Sequence, residues 1–355
     1  MTSKSTDMTT TRALRWGFIG CGKISSDFAN ALKSVPHAVL HACAARSTSS
    51  AEAFASTHGF KRAYTSYEQL CADPEVDVVY IGTLHISHYE HSLLALEHRK
   101  HVLVEKPMTM NATQAAAVIR SAQEKKLFLM EGMWTRFFPA VRFVREQLQK
   151  NVIGDVHHIN ADIGFQFAPD NARLWERSLG GGGLLDIGIY PLAFVTMVFG
   201  GEPERVTATG KISDGGVDVY GAVTLEYSGN RFASVQYTCL AEFAETVTII
   251  GSKGRLHIHT PSHRPTHVTT TTYLADGSTT EQLTVFPAPV PHPSATTFNY
   301  GGSEGFVYEA QAVTDALQHQ ETQHSEYPLT ESLALMKIMD DIRQQLGVRY
   351  DADLA

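Results

Sequence analysis

The sequence predicts an α/β domain built on a parallel sheet, followed by a region of largely antiparallel strands closed by two helices. Three observations predict it. From Leu14 to about Met130, short apolar, β-branched runs alternate with helical stretches, the pattern of strand-helix-strand units. After about Gly132 the strands follow one another with only turns between them. The length, 355 residues, holds two such domains or three at about 150 residues each.

In the first region strands are expected over 15–20, 39–45, 76–82, 101–104 and 127–131. A helix after the first strand carries Phe28, Ala31 and Leu32. Between the last two strands, Asn111 reads as an N-cap with Gln114 three positions on, opening a helix whose Ala115, Val118, Ile119 and Ala122 share a face. In the second region strands are expected over 206–211, 222–227, 232–239, 246–251 and 255–260, with turns at Ser228-Gly229-Asn230 and Ser252-Lys253-Gly254. A Pro-rich loop spans 287–293, and two helices follow: Phe306, Ala310, Val313 and Leu317 line one, Leu335, Ile338, Met339, Ile342 and Leu346 the other. The apolar stretch 180–201 is interrupted by Asp186 and Pro191, and its uncharged part, 187–201, is shorter than the roughly 20 residues of a membrane span, so a buried helix is expected. Residues 1–12, rich in Ser and Thr without the apolar run of a secretory signal, read as a disordered tail.

Twenty-nine basic against 37 acidic residues give a formal charge of −8, which argues against nucleic acid or an anionic membrane as partner and leaves small-molecule chemistry. Cys21, Cys43, Cys71 and Cys239 form no C-x-x-C pair, so neither a disulfide framework nor a thiolate metal site is suggested, and a cytoplasmic setting is expected.

Gly20-Cys21-Gly22-Lys23-Ile24-Ser25 follows the first strand and opens a helix. This is the dinucleotide motif with Ser25 in the third glycine position: Gly20 permits the tight turn, Gly22 lets the backbone approach a pyrophosphate, and the helix N-terminus favours the anion. An ordinary Gly-rich turn is the alternative, and the surrounding strand-turn-helix-strand order argues against it. The second strand carries no acid to take a ribose 2′-OH; it ends at Arg46, followed by Ser47 to Ser50. A guanidinium among hydroxyls suits a 2′-phosphate, so NADP is expected over NAD, unless Arg46 is merely a solvated charge. Thr83, His85 and His88 follow the strand ending at Gly82, and Glu105-Lys106-Pro107 follows the next, positions where doubly wound sheets bind ligands. Each His could equally cap a turn. Asp186 and Tyr190, four apart, share a helix face, where a tyrosine is otherwise most often a core residue.

With these residues assembled, the chain resembles the glucose-fructose oxidoreductase / inositol dehydrogenase (Gfo/Idh/MocA) superfamily, most closely its branch of dihydrodiol and NADP-dependent D-xylose 1-dehydrogenases. The resemblance runs through 14–28, Glu105-Lys106-Pro107-Met108, 127–139, 184–190 and 197–201. It implies an NADP-binding Rossmann domain over 13–131 and an α+β substrate and dimerisation domain over 132–355, with an open, largely antiparallel sheet and C-terminal helices that could pack back on the first domain. It also implies a homodimer, no metal, and Lys106, Asp186 and Tyr190 as the catalytic set, Tyr190 replacing the histidine usual in the superfamily. Trp134 and Arg136 would line the nicotinamide end and Phe165 a substrate wall. Two positions depart from the branch: Ser50 replaces a second arginine, and His263 falls where a substrate-side aromatic is expected. The implied activity is NADP-dependent oxidation of an aldose such as D-xylose at C1 to the lactone. A trans-1,2-dihydrodiol dehydrogenase or dicarbonyl reductase is the alternative, and a non-catalytic NADP-binding regulator the alternative outside enzymes.

Overall fold

Two sheets organise the chain in the computed structural model, which describes residues 12–354. The tail expected over 1–12 lies outside the described residues except for Arg12, whose guanidinium pairs with Asp77 at 2.5 Å.

The chain first runs through β1 (Leu14–Ile19), α1 (Lys23–Leu32), β2 (Ala38–Ala44), α2 (Thr48–His58), β3 (Arg62–Tyr64) and α3 (Tyr67–Ala72). It continues through β4 (Val78–Ile81), α4 (His88–Glu97), β5 (His101–Glu105), α5 (Ala112–Lys125) and β6 (Leu129–Gly132). The six strands form one parallel sheet in the order β3-β2-β1-β4-β5-β6. Strand order reverses between β1 and β4, and that switch point opens a crevice at the carboxyl ends of the strands. β4 is buried throughout, which is why it reads as an unbroken apolar run. β3 was not expected: two of its three residues are exposed, so it carries no apolar signal. Asn111 caps α5 by accepting the Gln114 N–H at 2.9 Å, while Gln114 returns its bond to the Met110 N–H at 3.2 Å, one residue before the cap.

The second part comprises α6 (Pro139–Gln149), β7 (Val156–Gly164), α7 (Ala172–Trp175) and α8 (Ile189–Phe199), the last entered through a π turn over Leu184–Gly188. Then come β8 (Arg205–Ile212), β9 (Asp218–Tyr227), β10 (Arg231–Thr238), β11 (Val247–Gly251), β12 (Gly254–Ile258), β13 (His267–Tyr273), β14 (Thr279–Val285), α9 (Phe306–Gln318) and α10 (Leu329–Leu346). The eight strands form an open sheet in the order β14-β13-β12-β11-β7-β10-β9-β8, antiparallel except where β7 meets β10. All five expected strands lie within it. β7, β13 and β14 were not anticipated; β14 is almost wholly exposed and shows no apolar alternation.

The segment Arg177–Phe199 has 23 residues, its most apolar 18-residue window has a mean hydropathy of 1.7, and its helical turns begin before Asp186. It is a core element: 83% of its most apolar window is buried, against β7, β10 and α10. The two last helices join the sheets. α9 lies on α1, and α10 touches β8 of the second sheet together with α5 and β6 of the first.

Candidate active site

A cavity of about 1200 Å³ opens at the switch point, between the strand ends of the first sheet and side chains of the second part. Its floor is the glycine turn. Gly20 adopts φ +94°, and a Cβ there would come within 2.9 Å of Thr83. A Cβ on Gly22 would meet nothing within 4 Å, so the backbone borders open space in front of α1, whose Gly22 cap supplies no side-chain acceptor for the first N–H groups. Lys23 and Ile24 also line the cavity. Ser25 does not: it is fully buried, with its Oγ 3.5 Å from the Gly82 carbonyl, so it serves helix–strand packing, the third glycine's task, rather than contacting a cofactor. At the far end are Arg46, Ser47, Ser50 and Tyr67. Arg46 forms no ion pair among the described residues, and the Ser47 hydroxyl accepts the Ser50 N–H at 3.3 Å as the cap of α2. Open floor, free helix terminus and unpaired guanidinium together fit a nicotinamide dinucleotide.

Thr83, His85 and His88 lie in the cavity wall, but the two histidine rings are occupied by backbone. His85 Nε2 is 2.6 Å from the Gly180 carbonyl, and His88 Nδ1 is 2.8 Å from that of Pro107. Burial pushes their pKa values down to about 4 and about 3, so both rings are neutral and the N–H of each is spent on a carbonyl. They hold loops in place, which is the turn-capping role, while their rings still border the cavity. Glu105, at the end of β5, accepts the Tyr80 O–H at 2.8 Å, and burial pushes its carboxyl up to about 7.

Lys106, Asp186 and Tyr190 converge in this cavity. Lys106 Nζ donates to the Asp186 backbone carbonyl at 2.6 Å, approaches its Oδ1 at 3.3 Å and lies 5.0 Å from the Tyr190 ring centroid. Burial acts to lower the Lys106 pKa, but the facing Tyr190 and Asp186 outweigh it, so the ammonium form is favoured. Burial raises the Tyr190 hydroxyl above the usual phenol value while Lys106 pulls it the other way. Burial also disfavours an ionised Asp186, yet Lys106 and Arg173 hold its carboxyl well below the carboxylate range. Arg173 grips both Asp186 oxygens, at 2.8 and 2.9 Å. Asp186 therefore anchors two cations.

Trp134 stacks on Phe306 with ring centroids 4.4 Å apart, and Phe165 and His263 complete that wall. Arg136 faces the other way. The tight 3₁₀ turn over Trp134–Phe137 directs it into the interior, where it donates to Glu331 at 2.6 and 2.9 Å and to the Ala193 carbonyl at 2.9 Å. It pins α10 and is not a cofactor residue. Arg173, Arg264, Tyr67, Tyr300 and Phe306 line the cavity without having been singled out. Arg173 follows Pro169-Asp170-Asn171, an irregular segment where no periodicity marks a site. A cluster of metal-ligand type, His41, Asp73 and Glu75, lies outside the cavity, and both its carboxylates are held by the Arg62 guanidinium, which disfavours a cation there.

Residues 14–133 match the oxidoreductase family with an NAD-binding Rossmann fold, GFO_IDH_MocA, and residues 141–257 match the GFO/IDH/MocA C-terminal domain. The chain belongs to this family of oxidoreductases. Trans-1,2-dihydrobenzene-1,2-diol dehydrogenase of Danio rerio is 41% identical over 346 residues, covering 96% of this chain and 99% of that protein. The Homo sapiens protein of the same name is 37% identical over 345 residues, with 96% and 99% covered. Among solved structures, a 3-ketoreductase from Actinomadura kijaniata in complex with NADP and TDP-benzene matches with a TM-score of 0.79 at 25% identity, over 94% of this chain and 98% of that one. Levoglucosan dehydrogenase in complex with NADH and levoglucosan matches in fold, with a TM-score of 0.82 at 20% identity over 94% and 97%. The enzyme class is that of an NAD(P)-dependent dehydrogenase acting on a CH–OH group.

Proposed function

We propose that this enzyme oxidises the C1 hydroxyl of an aldose, D-xylose or a similar sugar, to the lactone with NADP. The observation that carries the reading is the convergence of Tyr190, Lys106 and the Arg173-bound Asp186 on one polar corner of the cavity, with His263 beside Tyr190. A nicotinamide bound there supplies the hydride acceptor. Tyr190 takes the hydroxyl proton, Lys106 stabilises the phenolate, and Asp186 fixes Lys106 through its carbonyl and carboxylate. Trp134 and Phe165 give the sugar an apolar wall. Arg46 with Ser47 and Ser50 supports NADP, as does the NADP in the Actinomadura kijaniata reductase, while NADH in levoglucosan dehydrogenase leaves NAD as the competing cofactor.

Oxidation of a trans-1,2-dihydrodiol is the second reading, favoured by the name of the relatives at about 40% identity. A homodimer joined through the open sheet is part of the proposal, supported by exposed Tyr220, Phe232, Leu283 and Val285 on its strands. A cytoplasmic setting is supported by four unpaired cysteines. The test is reduced-nicotinamide absorbance with a panel of aldoses, dihydrodiols and dicarbonyls, each with both cofactors. Turnover of diols alone replaces the first reading by the second. An absence of turnover throughout leaves only a binding protein.

A further inference from the structure

His263 is held from three sides. Its Nδ1 bonds the Glu245 carboxylate, its backbone N–H approaches the same Oε1 at 3.4 Å, and its carbonyl accepts the Thr135 hydroxyl at 2.5 Å. Glu245 is itself buried and fixed: its N–H donates to Asp162 at 2.8 Å and its carbonyl accepts the Ser262 N–H at 3.1 Å. A neutral imidazole has one N–H. Glu245 can only accept, so Nδ1 is the nitrogen that donates, which leaves Nε2 as the ring nitrogen with a lone pair and no partner among the described residues. The ring lies 5.5 Å from that of Tyr190, 5.9 Å from Trp134 and 6.0 Å from Phe165, so it borders the space where the reacting carbon must lie.

Apart from the Tyr190 hydroxyl, which takes the reacting proton, the other polar groups of this corner mainly donate. Lys106 and Arg173 are cations, the Trp134 N–H is buried without a partner among the described residues, and Asp186 already accepts two bonds from these cations at Oδ1 and one at Oδ2. A polyol brings hydroxyl protons that need acceptors, and a hydroxyl buried without one is penalised. We propose that His263 determines specificity: its Nε2 accepts a hydrogen bond from the substrate hydroxyl on the carbon adjacent to the one oxidised, so that the enzyme selects α-hydroxylated substrates over deoxy analogues. This rests on Tyr190 and Lys106 being the reacting centre.

The test compares an aldose with its 2-deoxy counterpart on wild type, His263→Phe and the double variant His263→Phe/Glu245→Met, which leaves no unpaired carboxylate behind should the single variant fold poorly. The expected result is a fall of about 10- to 100-fold in kcat/KM for the aldose with little change for the deoxy sugar. Binding of both sugars to the NADPH-loaded protein, in which no oxidation can proceed, followed by tryptophan fluorescence, should show the same loss of discrimination. Equal losses on the two sugars, or no loss on either, overturn the proposal. If wild type turns over neither sugar, the aldose reading fails, and the binding ratio alone decides for or against His263.

Discussion

Replacing Lys106 by methionine removes one charge and keeps the chain length. Taking the ring centroid as the centre of the phenolate charge, the ammonium lies 5.0 Å away. At an effective dielectric constant of about 20, suited to this largely buried pair, two unit charges at that distance interact by about 3 kcal/mol. That is worth about two orders of magnitude in the rate of any step that passes through the Tyr190 phenolate. The direction of the pH effect follows: burial already raises the Tyr190 pKa and Lys106 opposes it, so the variant's activity should climb only at higher pH than in wild type. The assay is kcat/KM for sugar oxidation across pH, with NADPH binding measured in parallel. A variant that keeps the wild-type pH midpoint and loses less than about tenfold would refute the electrostatic role and leave Lys106 a structural contact of Asp186.

Tyr190→Phe should lower kcat by about two to four orders of magnitude while NADPH affinity, measured by fluorescence titration, stays within about twofold. Arg46→Ala should weaken NADP by about 10- to 100-fold and NAD hardly at all; equal losses in calorimetric titrations would remove the 2′-phosphate role. Glu309 is fully buried, neither carboxylate oxygen has a partner, and burial with nearby Glu105 and Glu131 pushes its carboxyl well above the usual value of 4.5. Below about pH 4.5 it is protonated both folded and unfolded; as pH rises further the unfolded chain ionises first, so folding loses stability. Glu309→Gln should therefore raise the urea midpoint at pH 8, with the gain shrinking toward acid pH.

The parts of the fold legible in the sequence are those dictated by local chemistry. The glycine turn at Gly20 and Gly22, the Asn111 cap and the apolar runs of β1, β4 and β5 each follow from a few neighbouring residues, and the structure contains all of them. β3 and β14 escaped because exposed, polar edge strands carry no burial pattern to read. At the site, the family resemblance points to Tyr190, Lys106 and Asp186, which line one cavity, whereas the partners around them lie in segments with no spacing to betray them: Arg173 meets Asp186 across an irregular stretch, and Glu245 reaches His263 from the approach to β11.

The same limit explains why Arg136 and Trp134 parted company. Two positions apart in one motif, they read as sharing one role, but residues two apart in a 3₁₀ turn point in widely different directions. The interior already held Glu331, a carboxylate that had to be paired, and Arg136 satisfies it while Trp134 takes the cavity wall. A motif thus places a segment at a site, while the charges supplied by other elements decide which of its side chains face the ligand. For this enzyme those elements are the 171–175 segment, whose Arg173 anchors Asp186, and the 260–265 loop, which puts His263 beside Tyr190. Substrate choice should therefore respond more to substitutions in these two segments than to changes in the glycine turn that the sequence announces most loudly.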